Sequence, residues 1–197
     1  MLVLASNNSN ADAARFRAAG LPIYKPFEFG RKATLPDGRS VEVAFALAFT
    51  SDPAITHAAF FTCHNKFPDN FWKPEFQRHA NGASVIREAV VVASHPAALS
   101  KFLAGFAGGP VSEIAGGIVA ECSSQRVSVL TPATFSKRFG GSVFATEHGP
   151  RLAAIVVEAA QPPADITIGA DASGLTIAWN APTQGSPDYS ETVRVDV

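Results

Sequence analysis

Charge, cysteine and long apolar runs are all scarce in this chain, and each scarcity removes a class of function. Charged residues make up 17% of the 197 residues, the net charge is −1, and no basic cluster stands out. Nucleic-acid binding needs several convergent Lys or Arg side chains to replace phosphate counterions, so this balance argues against it. No apolar run approaches the roughly 18 residues of a membrane span, and Met1 to Leu4 is too short for the apolar part of a leader. The expectation is a cytoplasmic protein with no membrane contact. Cys63 and Cys122 are the two cysteines; they lie far apart and form no CxxC pair, as expected of two buried, reduced thiols. Gly105, Gly108 and Gly109 are not followed by a P-loop lysine, which argues against a nucleotide cradle.

What remains is an apolar content of 47%, enough for a real core in one domain or two small modules. Aromatic residues concentrate in one place. Phe60 to Ser84, FFTCHNKFPDNFWKPEFQRHANGAS, holds six aromatic rings and two histidines. Phe67, Phe71, Trp72 and Phe76 follow neither a helical nor a strand period. Connections in compact domains are usually about 4–6 residues, and longer ones tend to carry function. A segment with so much ring area reads either as the wall or lid of a pocket or as a staple between two sheet modules.

Along the chain, Met1 to Ala5 starts as a strand, and Ser6 to Asn10 offers side chains that cap a helix start. Ala11 to Ala19 reads as a helix with Ala14 and Phe16 inward and Arg15 and Arg17 outward, stopped by Gly20. Ile23 to Thr34 is extended, and Leu35-Pro36-Asp37-Gly38 is a tight turn. Val41 to Phe49 alternates cleanly, with Val41, Val43, Phe45, Leu47 and Phe49 on one face. Glu42, Ala44, Ala46 and Ala48 share the other. The large residues are expected against a helix, and the small ones on an open, ligand-holding side. Ala59 to His64 completes a β-α-β-β-β unit.

The pattern then repeats. Val3-Leu4-Ala5-Ser6 is echoed by Val91-Val92-Ala93-Ser94, 88 residues further on (94 − 6). Each is followed by an Ala-rich helix with internal Phe, the second running from Pro96 to Gly105. Gly116 to Glu121 and Arg126 to Leu130 supply further strands. Repetition at this scale means two modules that share a sheet or pack back to back. A short helix over Thr131 to Phe139, a strand over Leu152 to Val157, and a hairpin of Ile166 to Ile168 with Leu175 to Trp179 across a 171–174 turn follow. Pro182 to Ser190 reads as a loop, and His57 and His148 fall in polar loops. The expected organisation is 1–83 and 84–160 as two modules, with 161–197 as a hairpin and tail.

Tandem units of this kind resemble the vicinal oxygen chelate superfamily. DAARFRAAGL with PFEFGRKATLPDGRSVEV, AFALAFTSDP, and FFTCHNKFPDNFWKPEFQRHANGA are similar to the central module of a glyoxalase-like protein. REAVVVASHPAALSKFLAGFAG, VLTPATFSKRFG and RLAAIVVEA are similar to the module that follows it. The resemblance implies an α+β fold of curved, cup-like mixed sheets with helices on the outer face. It also implies a preceding module, carrying the His and Glu ligands of a divalent metal, that has no counterpart here. Met1 would then be an internal start or the start of a shortened version.

For the modules that remain, the resemblance places Glu88 at a first-strand ligand position and Ser128 at a last-strand one. His64, which ends a strand, and Glu42 are the other candidate ligands, so His64 with Glu88 makes a two-ligand constellation at best for Zn, Ni, Mn or Fe. Absence of any cofactor is an equal expectation. Glu88 also has the option of pairing with a nearby arginine. Candidate ligand-binding residues are Phe71, Trp72, Phe76, Arg78 and His79, with the rings as apolar walls and Arg78 or Arg87 able to receive a carboxylate. His79 doubles as a residue that orders the loop before Asn81-Gly82, and His95 falls at a helix N-cap. A Cys63 nucleophile beside His64 is disfavoured, because neighbours on a strand point to opposite faces. Three functions stay open: a metal-dependent enzyme on a small oxygenated metabolite, a metal-free binder of a small molecule, and a non-catalytic homodimeric remnant.

Overall fold

The computed structural model describes residues 1–140, 149–162, 166–168 and 175–181. The expectations for His148, the 171–174 turn and the 182–190 loop lie outside them.

Two mixed sheets with the same strand order carry the chain. The first contains β1 (Leu2–Ser6), β2 (Phe27–Thr34), β3 (Ser40–Thr50) and β4 (Phe60–Asn65), in the order β1-β4-β3-β2. β1 and β4 are parallel and the other pairs antiparallel. The second contains β5 (Ala83–Val92), β6 (Val111–Ile114), β7 (Gly117–Cys122) and β8 (Gln125–Leu130), in the order β5-β8-β7-β6, again with one parallel pair, β5 with β8. The repeat in sequence is therefore a repeat in topology. β6 is a short, exposed edge strand without a clear sequence signal. On the free side of β5 the second sheet continues through β9 (Arg151–Ala159), β11 (Leu175–Asn180) and β10 (Ile166–Ile168).

Helix α1 (Ser9–Ala18) begins at Asn8, whose side-chain oxygen accepts from the Ala11 N–H at 3.0 Å. It ends in a left-handed Gly20 with φ of 69°, the Gly20 N–H reaching Arg17 and the Leu21 N–H reaching Phe16. These two bonds satisfy carbonyls that the helix end would leave unpaired. Ala13 and Phe16 are the apolar residues that face inward, while Ala14 is exposed, contrary to expectation; the buried stripe follows the i, i+3 spacing from Ala13. Arg15 is only half out. Its guanidinium donates to the carbonyls of Gly105 and Phe106, near the end of helix α3 (Ser100–Ala107). α3 also runs past Gly105, where a stop was expected, and ends at the left-handed Gly108. A glycine is needed at 105 for another reason: a Cβ there would stand 2.8 Å from Ala19 and from Leu21.

The two modules pack back to back through these helices. Leu2, Leu4, Ala48 and Phe60 of the first sheet share one buried cluster with Phe16, Phe102 and Phe106 of the helices and Ala89, Val91, Val127 and Val129 of the second sheet. Phe60 stands edge-on to Phe102 and Phe106, at ring separations of 4.9 and 5.4 Å. Each such buried side chain contributes about 1.5–3 kcal/mol. Asp12 ties α1 to its sheet by accepting from Ser6 Oγ and, at 2.7 Å, from Thr62 Oγ1.

The faces of β3 are the reverse of the expectation. The alanine face, with Ala46 and Ala48 buried, lies toward α1, whereas Phe45, Leu47 and Phe49 cluster with Val3, Phe61 and Cys63 on the far side. Small residues let the helix backbone approach the sheet closely, so the bulky ones are left for the other face. On the second sheet, α4 (Pro132–Phe139) covers the face away from α3, with Phe135 and Phe139 against Val90, Val92 and Leu130. No helix among the described residues is long and apolar enough to cross a membrane.

Candidate functional site

The far face of β2 and β3 is where the aromatic segment returns. Antiparallel register sets Phe27, Phe29, Arg31 and Ala33 on the same face as Leu47, Phe45, Val43 and Val41, their respective partners. After β4, the Lys66 N–H bonds the Ala44 carbonyl at 2.8 Å, and Asn65 Oδ1 accepts from the Phe67 N–H at 3.1 Å. Pro68 then opens the one-turn helix α2 (Pro68–Phe71), and Asn70 Nδ2 donates to the Glu42 carbonyl at 2.8 Å. A short 3₁₀ turn follows over Pro74–Phe76. These bonds hold Phe71 edge-on to Phe45, with ring centroids 5.2 Å apart at 86°.

Five rings in succession result. Phe27, Phe29, Phe45, Phe71 and Trp72 touch one after another at separations of 4.7 to 5.6 Å. Edge-to-face and offset pairs of this kind each add about 0.5–1.5 kcal/mol beyond the area they bury. Exposed rings nevertheless remain, Phe27 at 55% and Phe29 at 43%, so the row is open to solvent on one side.

Between this segment, the sheet face and the β2–β3 turn lies a cavity of about 310 Å³. Val43 forms its floor, Phe71, Trp72 and Phe76 one wall, and Leu35 and Pro36 the opposite rim. The rim is fixed by the turn itself. The Gly38 N–H bonds the Leu35 carbonyl at 2.9 Å, and Asp37 accepts from both the backbone and the guanidinium of Arg39, which lowers its pKa from the ordinary carboxylate value. Two cationic side chains, Arg31 and Lys73, also line the cavity, and among the described residues no acidic one does.

Of the expected ligand-binding residues, Phe71, Trp72 and Phe76 thus share one cavity, while Arg78 and His79 are exposed and do not line it. The His79 carbonyl closes the turn at Gly82, at 2.9 Å. Arg87 is committed to Glu158. Arg31 and Lys73 had no sequence signal of their own. Arg31 sits in a segment broken by Pro26, and only its pairing with Val43 places it on the aromatic face.

The expected metal ligands are dispersed. His64 pairs with Ala46 and shares the helix-backed face of the first sheet, opposite to Cys63, which pairs with Leu47. Glu42 is exposed on β3. Glu88 is in the second sheet on the side of Val90 and Val92, toward α4, and is 1% exposed. Its carboxylate receives both terminal nitrogens of Arg138, at 2.8 and 2.6 Å, and one of Arg126 at 3.2 Å. Burial pushes its pKa up, but the Arg138 and Ser128 hydrogen bonds and the two guanidinium charges outweigh it, so the value falls below the ordinary one. Among the described residues no group of three or more His, Cys, Asp or Glu is placed to hold a metal ion. The described donors therefore form no three-ligand site for a divalent metal.

Neither cysteine is fully buried, contrary to expectation, and the two lie in different sheets without a disulfide. Burial, then the charge of Glu121, pushes the Cys122 thiol up to about 11, so it is protonated and unreactive near neutral pH.

Comparison with known proteins now bears on this geometry. The model of the glyoxalase-like domain family matches residues 1–106, more than half of the chain. The chain belongs to that family. The family lies within the vicinal oxygen chelate superfamily, and the two mixed sheets agree with its fold. A crystal structure of a hypothetical protein from Staphylococcus aureus is similar to this glyoxalase-like chain with a TM-score of 0.61 and 10% sequence identity, over 90% of this chain and 65% of that one. At that identity the likeness concerns the fold alone, and the present chain spans under two thirds of the other protein's length. No match was found among curated proteins.

Proposed function

We propose that this glyoxalase-like protein binds a small apolar or aromatic molecule in the cavity beneath Phe71 and Trp72, without a metal of its own. The observation that carries the reading is Phe71 held edge-on to Phe45 above an apolar floor, in a cavity of about 310 Å³. That volume is at the lower end of ligand sites, which run roughly 300–1,000 Å³ and combine apolar walls with a few polar groups. The metal-dependent reading lacks support from the donors, since Glu88 is already neutralised by arginine and His64 lies in the other sheet. The two unbridged cysteines favour a cytoplasmic setting.

The test is a fluorescence titration in a Trp179→Phe background, where Trp72 is the remaining reporter, with bicyclic aromatic compounds as probes. Binding is expected to perturb Trp72, and Phe71→Ala is expected to weaken it by about tenfold or more, the scale of losing one buried aromatic contact. A silent Trp72, or unchanged binding in Phe71→Ala, would remove the reading.

A second reading concerns self-association. β5 is paired on both sides, by β8 and β9, whereas its counterpart β1 is paired among the described residues with β4 only. An unpaired strand edge is a template for another strand. A homodimer joined there is compatible with the binding function.

A further inference from the structure

We infer that the molecule taken up by this cavity is an aromatic carboxylate, its ring against Phe71 and Trp72 and its anionic group held by Arg31 and Lys73. The inference rests on the binding function proposed above and names its ligand class. Its basis is a charge imbalance within an otherwise uncharged lining, to which Thr34, Asn70 and Gln77 add neutral polar groups. Arg31 and Lys73 both line the cavity, and among the described residues no acidic side chain lines it and neither cation forms an ion pair.

The nearby acids are accounted for. Asp37 at the rim is paired with Arg39, and Glu28 on β2 is paired with Lys66. Glu42 lies on the opposite face of β3 from Val43, and Asp69 and Glu75 belong to the aromatic segment without lining the cavity. Among the described residues no acid is thus left to neutralise the two cations that line the cavity beside Phe71, Trp72 and Phe76. Arg31 is two residues from Phe29 on the same strand face, and Lys73 directly follows Trp72 in the chain.

A carboxylate matches this arrangement better than a neutral group. Guanidinium presents parallel N–H donors that fit the two carboxylate oxygens, and the lysine ammonium adds a mobile point charge. A phosphate is also received by Arg and Lys side chains, but the glycine-rich backbone nest that often completes a phosphate site is absent from the lining among the described residues. A flat ring bearing one carboxylate satisfies both the walls and the charges.

Naphthoate and naphthol, which share a ring system and differ in charge at neutral pH, separate the possibilities. Naphthoate is expected to bind about tenfold more tightly than naphthol, the scale of a hydrogen-bonded charge. Arg31→Gln and Lys73→Gln should each bring naphthoate affinity down toward that of naphthol, and added salt should narrow the gap. Thermal melts of both variants, each altering a surface-accessible cation, confirm that the fold is retained. Equal affinity for the two probes, or a naphthoate preference that survives in the double variant, overturns the carboxylate assignment while leaving the binding function standing. Failure of both probes to bind the wild-type protein overturns the binding function itself.

Discussion

Arg138 closes on Glu88 with two near-parallel hydrogen bonds, Nη1 to Oε1 at 2.8 Å and Nη2 to Oε2 at 2.6 Å. The pair links α4 to the central strand of the second sheet, and Ser128 on the neighbouring strand adds a hydrogen bond. Glu88 and Ser128 are the positions that the family resemblance suggests for metal ligands in this module. Here they belong instead to an internal ion pair, with a guanidinium supplying the positive charge. The same helix that delivers Arg138 also lays Phe135 and Phe139 over Val90 and Val92, so this side of the second sheet is filled by the chain itself.

Removal of Arg138 should therefore be costly and should invert the acid response. Breaking a buried pair costs about 3–5 kcal/mol, and Arg138→Ala is expected near the lower end because Arg126 remains. In the wild type the folded-state pKa of Glu88 is depressed below 4.5, so the stabilisation is present above that value and lost as pH falls through the folded pKa. Without Arg138, burial becomes the stronger influence and raises the pKa. The deficit of Arg138→Ala should then shrink as pH is lowered, and Glu88→Gln should flatten the acid limb. Urea midpoints measured from neutral to acid pH report all three, and parallel curves for wild type and Arg138→Ala would count against this account.

Gly105 offers a test in which two effects oppose each other. Alanine gains about 1 kcal/mol of helix propensity over glycine in a helix interior. At this position its Cβ would meet Ala19 and Leu21 at 2.8 Å, and overpacking of that kind costs about 1–3 kcal/mol. Gly105→Ala is expected to lower stability by about 1 kcal/mol net. Adding Ala19→Gly should recover part of the loss as a non-additive term, because the two residues touch. A more stable Gly105→Ala would show that the end of α1 yields without cost.

How much of this was legible beforehand depends on whether the signal was local. The two β-α-β-β-β units could be read from alternation along β3 and from the Val-Leu-Ala-Ser echo, because both lie within short windows. Which face of β3 meets α1 could not, since alternation is symmetric and the choice depends on how closely a helix must approach. The rings of Phe71, Trp72 and Phe76 stood out because they lacked any period, and they do line one cavity. Arg31 and Arg138 were invisible for a shared reason. Each looks like an ordinary surface cation in its own segment, and only contacts across 12 or more residues, to Val43 and to Glu88, give it a place.

The edge of β1 bears on the state of the molecule in solution. Ala5 is exposed on that strand, between the buried Leu4 and the half-buried Ser6. If two copies pair antiparallel along β1, a lysine at position 5 brings like charges close to the new strand pair, and natural proteins block edges with lysine in this way. Like charges facing each other across strands cost about 0.2–1 kcal/mol, so Ala5→Lys should weaken a dimer several-fold without unfolding the chain. Sedimentation velocity over a range of protein concentrations compares the two directly. A wild-type protein that stays monomeric throughout, or an Ala5→Lys variant that associates equally well, would mean that β1 meets its edge requirement in some way other than a second copy.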